Sequence, residues 1–374
     1  MKISSAVLRA TGVDRPYDAT RPLTVEELEL DGPGPGELAV RIESAGVCHS
    51  DLSVLTGQRP RPLPMALGHE AAGVVSAVGV GVDDVHVGDH VVLVFVPSCG
   101  VCEYCRSERP ALCPVGGAAN GRGELIGGGR RLSDAAGPIQ HHLGVSAFAQ
   151  YAVVDLSSAV VIDDDVPFDV AAVLGCAMLT GFGAVHNTAG VAAGESVTVI
   201  GLGGVGQAAI LGAVAAGASP VVAVDPVGHK RDLAIGLGAT HACAPQDAAD
   251  LLADLTGGGT RWVFEAVGSA AVMEQAFALT GRGGTTVSVG LPAPDAVLHL
   301  PALAFVGEAK TLTGSYMGSS VPQRDIPKMV RLWRSGRLPV ERLISDVLPL
   351  GDINVAFERL ADAQAVRQLI HPHA

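Results

Sequence analysis

Four of the seven cysteines in this 374-residue chain, Cys99, Cys102, Cys105 and Cys113, follow the spacing C-x2-C-x2-C-x7-C. A short loop spaced in this way can wrap four thiolates tetrahedrally around one zinc ion, at about 2.3 Å each. With four sulfur ligands the ion has no open position, so it would hold the loop together without touching a substrate. An iron–sulfur cluster also takes four cysteines, and free thiols or local disulfides are the plainer alternatives; spacing and context favour zinc.

A second group of donors is dispersed. Cys48 lies in GVCHSD, His69 and Glu70 in GHEAAG, and Cys176 in LGCAMLTG. Two thiolates and one imidazole leave a fourth position for water or substrate, the arrangement a catalytic zinc needs to act on a reacting oxygen. Each motif alone is weak, since a lone cysteine is usually a small hydrophobe and a lone histidine a hydrogen-bonded group. Their conjunction with the four-cysteine run carries the weight. His49 neighbours Cys48 and in an extended segment would point to the opposite face, towards a cofactor. Asp51 and Glu70 are close enough to fix the tautomer of a ligating imidazole, with Asp51 on His69 the favoured pair. Cys243 has no metal role, and burial is its expected state.

Gly201, Gly203 and Gly206 spell G-x-G-x-x-G between the apolar run SVTVI and a helical segment. The first glycine permits the tight turn, the second lets a pyrophosphate approach the backbone, and the third allows close helix packing. Asp225 ends the next apolar run, PVVAV, where a carboxylate can bind both ribose hydroxyls and repel a 2′-phosphate, favouring NAD over NADP. Lys230 could also reach the ribose, although a lysine opening a helix is ordinarily solvated.

These groups need two kinds of scaffold. From Pro22 to about Val94, short apolar or alternating runs separated by Gly and Pro read as a strand-rich barrel. Between Ser196 and about Gly314, apolar strands alternate with helical segments, the signature of a doubly wound parallel sheet. The Gly-rich stretch after Cys113 is expected on the surface. A net charge of −13 opposes nucleic acid and anionic lipid surfaces, leaving a small-molecule partner. No apolar run is expected to cross a bilayer, and the N-terminus has no secretory pattern; the expected location is the cytoplasm.

GHEAAGVV, the four-cysteine lobe, LGCAMLTGFGAV and VIGLGGVGQAAI stand in the order found in the zinc-containing medium-chain alcohol dehydrogenases, which the chain resembles over essentially its whole length. The resemblance implies a GroES-like β-barrel catalytic domain, residues 1–177 and 316–374, around a Rossmann NAD-binding domain at 178–315. By position it implies Ser50 as the hydroxyl that takes the alcohol proton, and His49 and Arg367 as pyrophosphate contacts. It also implies Phe95, Leu112, His142, Leu143 and Leu291 as the wall of an apolar substrate cleft. Several members carry a relay histidine three residues beyond the hydroxyl, where this chain has Ser53.

The expected protein is therefore an NAD-dependent alcohol dehydrogenase with two zinc ions per subunit, one catalytic and one structural, working as a homodimer or homotetramer on a primary or secondary alcohol. The nearest alternative is a thiol-dependent, S-hydroxymethyl-glutathione type formaldehyde dehydrogenase, whose pocket mouth should be basic; Arg59 and Arg122 are the candidates for it. A non-enzymatic NAD-responsive zinc protein is more remote, and a zinc lyase would have no use for the dinucleotide turn.

Overall fold

The computed structural model describes residues 1–374 and separates them into two compact units. The first comprises Met1–Cys176, Val321–Val330 and Ile344–Ala374; the second comprises Ala177–Ser320 and Arg331–Leu343.

The first unit is built on strands. In the strand Leu23–Leu30, LTVEELEL, Leu28 and Leu30 are buried while their neighbours Glu27 and Glu29 are exposed, the local alternation of a strand with one face on a core. This strand joins a closed five-stranded barrel with Lys2–Leu8, Leu132–Asp134, Gly137–His141 and Met65–Ala66. The longest strand, Glu37–Val47, is buried along most of both faces and lies inside a seven-stranded sheet. It pairs with Ala71–Val78 on one side, Arg367–His371 near its end, and Tyr151–Asp155 near its start. The C-terminal segment is thus stitched into this sheet by its backbone. Phe357 on the helix Ile353–Ala361 adds side-chain packing, meeting Phe148 edge-on at 6.1 Å between ring centroids, with both side chains fully buried. Truncating either to alanine should cost about 3–5 kcal/mol.

The second unit contains six parallel strands in the order His241–Cys243, Val221–Val224, Val197–Ile200, Thr260–Glu265, Thr280–Ser288, Thr311–Gly314. VTVI and VVAV are buried at every position, because helices cover both faces of a parallel sheet. Chain order reverses between Val197–Ile200 and Thr260–Glu265, and in such sheets ligands bind beyond the carboxyl ends of the strands at that crevice. The helix Gly204–Ala216 follows the first of these strands and stops at Gly217, whose φ of 78° supplies the left-handed residue of a helix end.

The units differ from the expected domain limits on the return of the chain. Residues 316–320 and 331–343 pack with the parallel sheet because Ser320 Oγ bonds to Leu179 O at 3.0 Å, Arg337 to Ala215 O at 3.1 Å and Arg342 to Gly236 O at 2.6 Å. A second departure concerns apolar runs. The helical stretch Phe168–Ala189 is 22 residues with mean hydropathy 1.8, long and apolar enough to cross a membrane by composition, contrary to expectation; 89% of its most apolar window is buried inside the protein, as in a core helix.

Candidate metal centre and dinucleotide site

Cys48 stands at the end of the strand Glu37–Val47, immediately before the helix His49–Leu55. His69 lies just before the strand Ala71–Val78. Cys176 sits within Leu174–Met178, a π-helical segment inside the long apolar helix; such widened turns re-aim side chains and recur at functional positions. Three donors from separate stretches of chain meet here, their ligand atoms all within 4.8 Å of one another and all three residues buried. Cys176 Sγ is 3.5 Å from His69 Nε2. A tetrahedral zinc bound to one sulfur and one imidazole nitrogen separates them by about 3.6 Å, so the donor set fits that ion.

The electrostatics agree. A hydrogen bond from Cys176 brings the Cys48 thiol well below its ordinary value, and the same contact pushes Cys176 well above its own. Two sulfurs this close compete for one proton, and a divalent cation relieves that competition by taking both as thiolates.

His69 Nδ1 lies 3.0 Å from Asp51 Oδ2, and His142 Nδ1 lies 3.0 Å from Asp51 Oδ1. Burial alone would raise the Asp51 carboxyl, but the two imidazoles outweigh it and hold the group well below the usual carboxylate range. Gly68 N also donates to Asp51 Oδ1 at 3.1 Å. Glu70 is fully buried and paired with Arg367, which donates as well to Val47 O at 3.1 Å. Burial pushes the Glu70 carboxyl up to about 7 despite that arginine.

The four-cysteine segment closes on itself. All four sulfurs lie within 4.8 Å of one another, and Cys102 Sγ is 3.4 Å from Cys105 Sγ, near the roughly 3.8 Å edge of a zinc–sulfur tetrahedron. Backbone amides of Val101 and Cys102 lower the Cys99 thiol to about 6, and burial pushes Cys105 up to about 12. Amides of Cys99 and Gly116 point at Cys113 Sγ, at 3.4 and 3.5 Å, as they would at a thiolate ligand.

In the second unit, Gly201 has φ 89°, and a side chain there would strike Val267; a Cβ on Gly206 would collide with the Gly201 carbonyl. Nothing lies within 4 Å of where a Cβ on Gly203 would sit, so the backbone is open to a close ligand. Asp225 is buried just after Val221–Val224, its Oδ2 accepting from Leu202 N at 2.7 Å and its Oδ1 from Val227 N at 2.8 Å. These contacts tie the carboxylate to the glycine turn. The residues fit a dinucleotide.

The remaining expected residues divide. Phe95 and His142 both stand edge-on to the His69 ring at 5.5 Å, and Leu143 follows, buried, with φ 53°. Leu112 is exposed on the cysteine lobe, and Leu291 belongs to the second unit and is half exposed. His49 is exposed, Ser50 partly so. Lys230 is buried, its carbonyl accepting from Gln207 Nε2 at 2.8 Å, rather than solvated. Arg367 is buried against Glu70 within the first unit. Arg122 is taken by Glu124 at 2.7 Å. Sequence reasoning did not find the Glu70–Arg367 pair or the contact of His142 with Asp51, since both join residues far apart in the chain; a buried glutamate beside a metal-ligand histidine was the one available signal.

Residues 34–164 match the alcohol dehydrogenase GroES-like domain family, and residues 204–335 the zinc-binding dehydrogenase family. The chain is 37% identical over 384 residues to an NDMA-dependent alcohol dehydrogenase of Amycolatopsis methanolica, covering 99% of both chains. It is 35% identical to an S-(hydroxymethyl)glutathione dehydrogenase of Synechocystis sp., over 95% of this chain and 98% of that one. Among solved structures it is similar to benzyl alcohol dehydrogenase from Acinetobacter calcoaceticus, with TM-score 0.92, 31% identity and 99% of both chains covered.

Proposed function

The chain belongs to the zinc-containing medium-chain alcohol dehydrogenases and is an oxidoreductase; on that premise we propose that it interconverts primary aliphatic or benzylic, or secondary, alcohols with aldehydes or ketones, with NAD as hydride acceptor. The observation that carries this reading is the buried trio Cys48, His69 and Cys176, which leaves a tetrahedral ion one position for a substrate oxygen.

When bound, zinc supplies Lewis acidity towards the alcohol oxygen and NAD supplies the hydride acceptor. Cys48, His69 and Cys176 hold the metal, and Asp51 fixes the His69 ring with Nε2 directed away from the carboxylate. Ser50, two residues from Cys48 and partly exposed, is the hydroxyl that receives the alcohol proton at Oγ. Ser53, standing where several members have a relay histidine, donates its own hydroxyl to His49 O at 2.9 Å, so the proton leaves Ser50 through water or His49. Gly201, Gly203 and Gly206 cradle the pyrophosphate, Asp225 the ribose, and Lys230 lies next to that site in the chain. Arg367 braces Glu70, and its Nε, buried with no partner in the protein, leaves a donor for the pyrophosphate contact that the resemblance implies. Cys99, Cys102, Cys105 and Cys113 hold a second, structural zinc. Phe95, His142 and Leu143 form the inner substrate wall. The working assembly is a homodimer or homotetramer in the cytoplasm.

A second reading has a specific support, the Synechocystis relative: a thiol-dependent formaldehyde dehydrogenase. The name of the Amycolatopsis relative likewise raises NDMA as terminal acceptor. One screen separates these readings. NADH formation is followed with aliphatic alcohols, benzyl alcohol, and formaldehyde with glutathione, and NDMA is supplied as acceptor in a parallel series. Thiol-free oxidation of benzyl alcohol with NAD, lost in Cys48→Ser, is expected. Activity with the glutathione adduct alone would establish the second reading, and turnover with NDMA alone would displace NAD as acceptor. Full activity and full zinc in Cys48→Ser would sink the site.

A further inference from the structure

We propose that Glu265 is a positioning residue of the dinucleotide site: its buried carboxyl group holds the turn at residues 266–269 against the glycine turn, where that turn walls the half of the dinucleotide carrying the nicotinamide. This rests on the dinucleotide reading above and deepens it, adding a second wall on the side of the crevice opposite Asp225.

Glu265 ends the strand Thr260–Glu265 and is 0% exposed. Its Oε1 accepts from Val267 N at 2.8 Å and from Gly268 N at 2.7 Å, which folds the chain back over the strand end. Burial raises the carboxyl, and the amides of Gly268, Val267 and Ser269 oppose that shift. Oε2 is buried with no donor in the protein. An acid sealed in this way costs desolvation that only one of its oxygens recovers, an arrangement that clusters at functional sites.

Three strand ends meet at this turn. Ala266 N donates to Ile200 O at 2.9 Å, and the Glu265 carbonyl accepts from Val289 N at 2.8 Å and from Gly290 N at 3.0 Å. The fit is close on both sides. A Cβ on Gly201 would lie 2.5 Å from Val267 Cγ2, and one on Gly268, whose φ is 80°, would lie 2.7 Å from Leu291 O. Val267 is nonetheless 53% exposed, so the turn presents an apolar side chain at the rim beside Gly201.

Strand order assigns the turn its half of the ligand. Asp225 follows Val221–Val224 on one side of Val197–Ile200, and Thr260–Glu265 lies on the other. A dinucleotide with its adenosine ribose at Asp225 and its pyrophosphate across Gly201, Gly203 and Gly206 directs its other half towards residues 266–269. Glu265 itself touches no ligand; it acts through the backbone it holds.

The test measures Kd for AMP and for NADH by calorimetry on the zinc-loaded wild type, Glu265→Gln, Glu265→Leu and Gly268→Ala, with Tm for each. AMP occupies only the adenosine half, whereas NADH spans both. Glu265→Leu strips the amides of Val267 and Gly268 of their acceptor and should weaken NADH about tenfold, the worth of one hydrogen bond, with AMP affinity unchanged. Glu265→Gln, which keeps an acceptor oxygen, should retain most of the NADH affinity. Gly268→Ala displaces the same turn with the carboxyl group intact and should reproduce the Glu265→Leu pattern; it decides the matter alone if Glu265→Leu does not fold. A carboxyl group that only stabilises the fold would weaken AMP and NADH together in step with Tm, or lower Tm alone. Either result overturns the inference, as does unchanged NADH affinity in Glu265→Leu or Gly268→Ala. If the wild type binds neither AMP nor NADH, the dinucleotide reading itself falls and the inference with it.

Discussion

Asp51 Oδ2 lies 3.0 Å from Nδ1 of His69, and the two side chains are 0% and 1% exposed. A carboxylate placed on the far nitrogen of a ligating imidazole fixes which nitrogen faces the metal and raises its basicity. Asp51→Ala should therefore weaken zinc binding at this centre by about 10–100-fold. Chelator competition, with the four-cysteine site as internal reference, measures the loss; unchanged affinity would mean that the carboxylate is incidental.

The two cysteine sets should fail differently. Cys48→Ser removes a ligand next to the reaction and should abolish turnover. Cys102→Ser opens a closed tetrahedron whose binding energy is folding energy; it should lower Tm and zinc content by one ion, with activity following the folded fraction. Differential scanning fluorimetry alongside metal analysis separates them, and equal Tm losses with equal activity losses would contradict the division.

Asp225 accepts from Leu202 N and Val227 N, which aims its carboxylate at the carboxyl end of the sheet. Asp225→Ser should reduce the NAD over NADP preference in kcat/KM by about tenfold or more, since a charge-assisted contact is lost together with repulsion of the 2′-phosphate. An unaltered ratio would remove Asp225 from the cofactor site.

His141 is fully buried, and burial, aided by the Arg131 and Arg130 charges, lowers its imidazole to about 3. Its Nε2 accepts from Arg131 N at 3.0 Å, so the folded protein keeps it neutral. The unfolded chain protonates it below about 6.5. Between about pH 6.5 and 3 the unfolded state thus holds the extra proton, and stability falls as pH falls, by up to about 1.4 kcal/mol per unit. His141→Gln should lose less stability than wild type between pH 7.5 and 5.5 in urea unfolding. Parallel losses would show that other groups set the acid limit.

Local spacing made much of this molecule legible. The C-x2-C-x2-C-x7-C run needs only one loop to form a tetrahedron, and the glycine turn needs only a strand before it and a helix after it. VVAV and VTVI announced their burial because strands covered on both faces are nearly free of polar residues; the one hydroxyl, Thr198, is met by Thr260 Oγ1 at 2.9 Å. The limits of the units were less legible, because residues 331–343 are placed by bonds from Arg337 and Arg342 to distant carbonyls, which leave no mark in the local pattern.

By itself the sequence singled out the candidate donors and the two scaffolds that carry them: Cys48, His69 and Cys176 for one proposed metal, four cysteines for another, and three glycines with Asp225 for a proposed dinucleotide. Only the tertiary structure decided which groups surround those donors. Asp51 serves His69 and His142 together, and Glu70 is buried with Arg367, 297 residues away in the chain. The reason is physical: a ligand set is constrained by chemistry within short motifs, whereas a buried charge is constrained by whatever the fold brings within about 3 Å of it, and that distance is fixed by packing.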